Sequence, residues 1–129
     1  MDFQIKTDPL RSYLLIELSG RFNVADLEEC YRTFLKLPGW KSGADILWDA
    51  RESSFEHLTQ NDIRAVAEMT EKYREQRGPG LAAWVMGRDV DFGMGRMYEM
   101  INEDVVVYAF RVFRTLQEAE DWILYSRDE

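Results

Sequence analysis

Polarity alternates over residues 3–7, with Phe3 and Ile5 apolar against Gln4 and Lys6, which predicts a short strand closed by Asp8-Pro9. Residues 13–18 (YLLIEL) are nearly continuous in apolar character and stop at Ser19-Gly20, and the short link predicts antiparallel pairing with the first strand. Asn23 can cap a helix over 24–37, with Leu27, Tyr31 and Phe34 as its inward stripe and Glu28, Glu29, Arg32 and Lys36 facing water. Residues 46–48 read as a short buried strand, and Thr59 to Asp62 as a capping box opening a helix to about Arg77. In that helix Ile63, Val66, Ala67, Thr70 and Tyr73 face in. Residues 81–86 (LAAWVM) form an apolar run ending at Gly87. Asp89 or Asp91 then caps a helix to Asn102 or Glu103, with Met94, Met97, Tyr98 and Ile101 as its stripe. Residues 105–113 (VVVYAFRVF) give the strongest strand signal, and Thr115 opens a last helix to about Tyr125.

The order is β-β-α-β-α-β-α-β-α. Strands apolar on both faces that alternate with helices predict an α/β domain: a mixed, mostly parallel sheet of about five strands covered by about four helices. At 129 residues, with no repeat, low-complexity segment or linker, one domain spanning 1–129 with its core over about 13–125 is expected.

Charge narrows the partners. Sixteen Lys and Arg stand against 24 Asp and Glu, a net charge of −8, so a polyphosphate partner meets net repulsion and no nucleic acid is expected. The lone Cys30 and lone His57 leave no internal disulfide and no zinc-type cage, so neither a metal nor a cofactor is expected. No run approaches the ~18 apolar residues of a membrane span, and the first residues lack a signal peptide's apolar stretch. A cytoplasmic protein is the expectation.

Three stretches carry a resemblance. AFRVFRTLQEAEDWI, from Ala109 to Ile123, is similar to the strand–helix ending of small SpoIIAA-like proteins. Phe92-Gly93-Met94-Gly95-Arg96-Met97-Tyr98-Glu99 resembles their "fG-x-aRm-f/y-e" helix, and Leu47-Trp48-Asp49-Ala50-Arg51 their "x-x-D-x-r" strand end. The order and spacing of these motifs, from Tyr13 to Ile123, carry the resemblance more than any one of them. It implies the fold of STAS (sulfate-transporter and anti-sigma-factor-antagonist) domains, related in topology to Sec14-type lipid binders. Antagonist STAS proteins carry a phosphorylated Asp-Ser-Ser-Gly stretch where this chain has His57-Leu58-Thr59-Gln60. Thr59 is the only hydroxyl near that phosphoacceptor position, and a helix cap accounts for it better.

The remaining chemistry is sparse. No nucleophile can be tied to His57, and Cys30 lies beside Leu27 and Tyr31 on an inward helix face. Gly93-x-Gly95 lacks the third glycine and the Gly-Lys-Ser/Thr of a phosphate loop, and close helix packing explains both glycines. Asp49 and Arg51 follow one predicted strand, Arg88 and Asp89 another. If the two are parallel, all four sit on the carboxyl edge where open α/β sheets place ligand crevices, with Arg96 pointing back from its helix. An ion-pair network is the competing explanation. Met94 and Met97 fit the core stripe, while Met86 and Met100 are suited to lining an adjustable apolar pocket.

These observations lead to a non-catalytic binding or regulatory module of STAS type. It would engage a protein partner or small ligand through Asp49, Arg51, Arg88, Asp89 and Arg96. The alternative is a Sec14-like carrier of a small apolar or lipid ligand; a third reading is an enzyme using Asp49 and Asp89. A homodimer is compatible with each.

Overall fold

The computed structural model describes residues 1–101 and 109–126. Along the chain lie β1 (Asp2–Lys6), β2 (Tyr13–Arg21), α1 (Val24–Phe34), β3 (Asp45–Ser54), α2 (Gln60–Lys72), α3 (Arg74–Arg77), β4 (Leu81–Met86), α4 (Asp89–Ile101), β5 (Ala109–Phe113) and α5 (Leu116–Ser126). The strands form a five-stranded sheet in the order β1-β2-β3-β4-β5. Among the described residues only β1 and β2 pair antiparallel; each later pair is parallel. The predicted class, mixed sheet and element order are present, with the one-turn α3 as an addition.

Sequential strand order decides how the helices are distributed. Parallel βαβ crossovers are right-handed, so every connecting helix falls on the same face of such a sheet. Leu27, Tyr31 and Phe34 of α1 and Met69 of α2 accordingly pack with Trp48 and Trp84 on one face. Helix α5 follows the last strand and folds back on the other face, where Ala119 and Ile123 meet Leu47, Ala83 and Val85. Trp48 and Trp84 are register partners on adjacent strands. Their rings stack at 4.7 Å and 9°, with Tyr31 on the far side of Trp48 at 5.8 Å. Such ring pairs add ~0.5–1.5 kcal/mol beyond the area they bury.

Several boundaries differ from the pattern-based expectation. Strand β3 continues to Ser54 because Ser19–Arg21 go on pairing with it beyond an irregularity between Glu17 and Ser19. Asp49 and Arg51 therefore lie within a strand and not beyond it. Helix α1 ends at Phe34, and the next turn tightens, with Lys36 and Leu37 bonding three residues back. The predicted helix from Gln60 to Arg77 is interrupted at Tyr73, whose hydroxyl donates to Glu28 at 2.7 Å and ties α2 to α1. The expected strand over 105–108 and the helix end at Asn102 or Glu103 lie outside the described residues.

At the amino edge of the sheet, the buried Arg77 donates to the carbonyls of Ala44 (2.6 Å) and Leu81 (3.2 Å). Asp45 accepts from the Leu81 N–H at 2.8 Å. Gly80 allows this close approach, because a methyl there would lie 2.5 Å from the Ala44 carbonyl oxygen.

Candidate functional site

Ala50 of β3 pairs with Met86 of β4, so the carboxyl ends of these strands adjoin. The charged side chains near that edge are nevertheless divided among separate partners. Asp49 and Leu47, two residues apart, share the α5 face of the sheet. The Asp49 carboxylate accepts from Arg51 Nε and Nη2, both at 2.9 Å, and Asp49 thereby holds the guanidinium more firmly protonated than usual. Arg88 donates through Nε to Asp91 at 2.7 Å and through Nη2 at 3.2 Å, and reaches Glu56 at 3.4 Å. Asp91 is 0% exposed and also accepts from the Phe55 N–H at 2.8 Å, pinning the segment after β3 to the start of α4.

Asp89, 93% exposed, pairs with Arg114, which also donates to the Gly87 carbonyl at 3.2 Å. Arg96 pairs with Glu99 at 2.9 Å, and the second Glu99 oxygen accepts from the Val112 N–H at 3.2 Å. Among the described residues, no hydrogen bond or ion pair joins Asp49 and Arg51 to Arg88, Asp89 or Arg96. Thr59 caps α2 in a full capping box: its hydroxyl accepts from the Asp62 N–H at 3.2 Å while Asp62 accepts from the Thr59 N–H at 2.8 Å. His57 donates through Nε2 to the Phe22 carbonyl at 2.7 Å. Cys30 is fully buried, and burial pushes its thiol up to about 12. No group of three or more His, Cys, Asp or Glu among the described residues is placed to hold a metal ion.

The helix-covered face holds a different feature. Between α2 and α4 a cleft opens onto Trp84, with Phe22, Phe55 and Phe110 around it and Met86 and Met94 beside it. It has about 580 Å³ of unfilled space including its mouth, of which about 60 Å³ can take the centre of a water molecule. Among the described residues, no charged side chain lines it. Thr70 is one of its few polar members, and its hydroxyl donates to the Ala67 carbonyl at 2.9 Å. Phe22 and Phe55 lie 4.8 Å apart, and each presents to Trp84 edge-on at 6.5 Å.

Gly95 sets the floor on the α4 side. A methyl there would sit 2.7 Å from Val112 Cγ1 and 3.3 Å from Met86 Cε, so glycine lets α4 close on β5. Gly93, expected to serve the same purpose, faces open space. The methionines follow the expectation in part: Met86 lines the cleft as expected and Met94 joins it, while Met97 is exposed and Met100 is 70% exposed.

A solved structure shares this fold. An uncharacterised protein of the DUF3478 family from Shewanella loihica PV-4, with a SpoIIAA-like fold, superposes with a TM-score of 0.60 over 95% of this chain and 92% of that one, at 15% identity. The chain has a SpoIIAA-like fold. At this identity the likeness speaks for architecture alone. No family model matches the sequence, and no curated protein does. No helix among the described residues is long and apolar enough to cross a membrane.

Within the SpoIIAA-like fold, the charged strand ends stand out in the sequence, and the cleft's ring-bearing wall does not. A signal was present: Phe22 and Phe55 stand just past the polar ends of β2 and β3, where connecting segments are ordinarily hydrophilic. Large apolar residues at such positions mark something they must cover.

Proposed function

We propose that this SpoIIAA-like domain is a non-catalytic binding module that holds a small apolar molecule in the cleft between α2 and α4. The cleft itself carries the reading: a recess lined among the described residues by aromatic and aliphatic side chains, with no charged one, is the chemistry of small-molecule sites. The charged residues at the carboxyl edge favour the competing role less, because each arginine there is already engaged with a carboxylate of the same chain. Catalysis by Asp49 and Asp89 lacks support for the same reason, and the two carboxylates share no partner. The expectation of a small apolar ligand therefore moves ahead of a protein partner at the rim.

Met94→Trp, on the half-buried flank of the recess, tests this. Wild-type protein purified without detergent should retain an adduct in native mass spectrometry, or gain melting temperature with neutral apolar compounds. The variant, melting near the wild-type temperature, should do neither. A bare spectrum together with no melting shift at millimolar compound would overturn the reading.

A further inference from the structure

Resting on that reading, we infer that the ligand taken by the cleft is a neutral molecule that inserts a flat aromatic ring against Trp84, rather than an extended alkyl chain. Space comes first. The interior open to water centres is about 60 Å³. A space this small displaces only a handful of waters, which suits a ring and not a long chain.

The walls point the same way. Phe22 and Phe55 already meet Trp84 edge-on, at 67° and 79°, and Phe110 approaches it at 6.3 Å and 39°. A ring entering among them meets aromatic faces and edges, the partners with which rings gain most at centroid separations of 4.5–7 Å in general. Each such contact is worth about 2–12-fold in affinity beyond area burial, whereas an alkyl chain gains only the area term. Trp84 is itself held on its other side by the stack with Trp48, so the surface it offers is fixed in advance.

Neutrality follows from the lining. With no Lys, Arg, Asp or Glu among the described residues of the walls, an ionised group would enter without a counter-charge.

Three probes separate the alternatives by calorimetric titration of the intact chain: naphthol, n-decanol and naphthoate. Naphthol and n-decanol have equal carbon counts and one hydroxyl each, and partitioning alone favours the decanol. The expected result is naphthol binding one per chain, at least about tenfold tighter than either other probe. Phe110→Leu, on the edge strand, should narrow that gap while leaving the fold unchanged by circular dichroism, and Met94→Trp should abolish naphthol binding. Decanol binding as tightly as naphthol would overturn the ring preference while leaving the cleft as the site. Naphthoate matching naphthol would overturn the neutral class. No binding of any probe at millimolar concentration, or naphthol binding unaffected by Met94→Trp, would overturn both this inference and the cleft reading.

Discussion

The Arg88–Asp91 pair offers a quantitative test of whether the strand-end charges serve architecture. Asp91 is 0% exposed while Arg88 is 49% exposed, so the two residues are unequal in what their loss leaves behind. Asp91→Ala strands the Phe55 N–H without its acceptor, a loss of ~1–3 kcal/mol, and frees Arg88 to water. Arg88→Ala leaves a buried carboxylate with one backbone donor. One-sided breaking of a buried pair costs about 3–5 kcal/mol, and the half-exposed arginine reduces this to about 2–3 kcal/mol. Once the carboxylate is gone, removing Arg88 should add little. The double variant should therefore be about as stable as Asp91→Ala alone, with a coupling of about 2 kcal/mol. At ~2.1 cal/mol/K per residue, a loss of 2–3 kcal/mol in this 129-residue chain lowers Tm by about 7–11 °C. Urea unfolding of the four proteins, followed by circular dichroism, measures the cycle. Additive losses, or an Arg88→Ala loss below about 0.5 kcal/mol, would refute the account of Arg88 as the counter-ion that makes a buried Asp91 tolerable.

The two glycines of α4 should respond with opposite signs: Gly93→Ala stabilises by about 0.5–1 kcal/mol through helix propensity, while Gly95→Ala destabilises by about 1–3 kcal/mol against Val112, both read from urea midpoints. Hydrogen bonds from Lys72 and Tyr73 hold Glu28 below the usual carboxylate range, and those from the Thr59 backbone and hydroxyl do the same for Asp62. Their contribution is present above the unfolded carboxylate pKa and lost as pH falls through the depressed values, so Asp62→Asn should flatten the acid side of a Tm–pH series. Burial and Glu120 push Tyr13 up to about 12, so its contribution holds below its unfolded pKa near ~10 and disappears as pH rises through about 12; Tyr13→Phe should remove that alkaline loss. Cys30 should react with a thiol reagent only as fast as the chain opens, and rapid labelling under native conditions would contradict its burial.

The fold was legible because its signals are local. The alternation in β1, the Leu27–Tyr31–Phe34 stripe and the Thr59 capping box are each decided within a few residues, and each stands as read. What depended on pairing elsewhere was not legible. The extension of β3 through Arg51 is set by Ser19–Arg21 on another strand, and it turns Asp49 and Arg51 from two rim groups into a same-strand couple. Asp89 and Asp91 offer the same chemistry to a helix start. Only the position of Phe55 decides that Asp91 is buried and Asp89 left in solvent. Met97 fitted a helical stripe, yet the sheet meets α4 through Gly95 and Tyr98 and leaves Met97 outside. The cleft depends on the separation of α2 and α4, a distance between elements that no run of residues encodes.

Because each strand pairs with its predecessor, the sheet can grow strand by strand as the chain leaves the ribosome, with little loop closure to await. The layer of α1, α2 and α4 accumulates along with it. The opposite surface has no such schedule: Leu47 and Val85 stay wet until α5, which follows all five strands, arrives to cover them. A chain paused or cleaved before Leu116 would therefore carry a nearly complete sheet with one bare apolar side, the form most prone to aggregate or to be held by a chaperone.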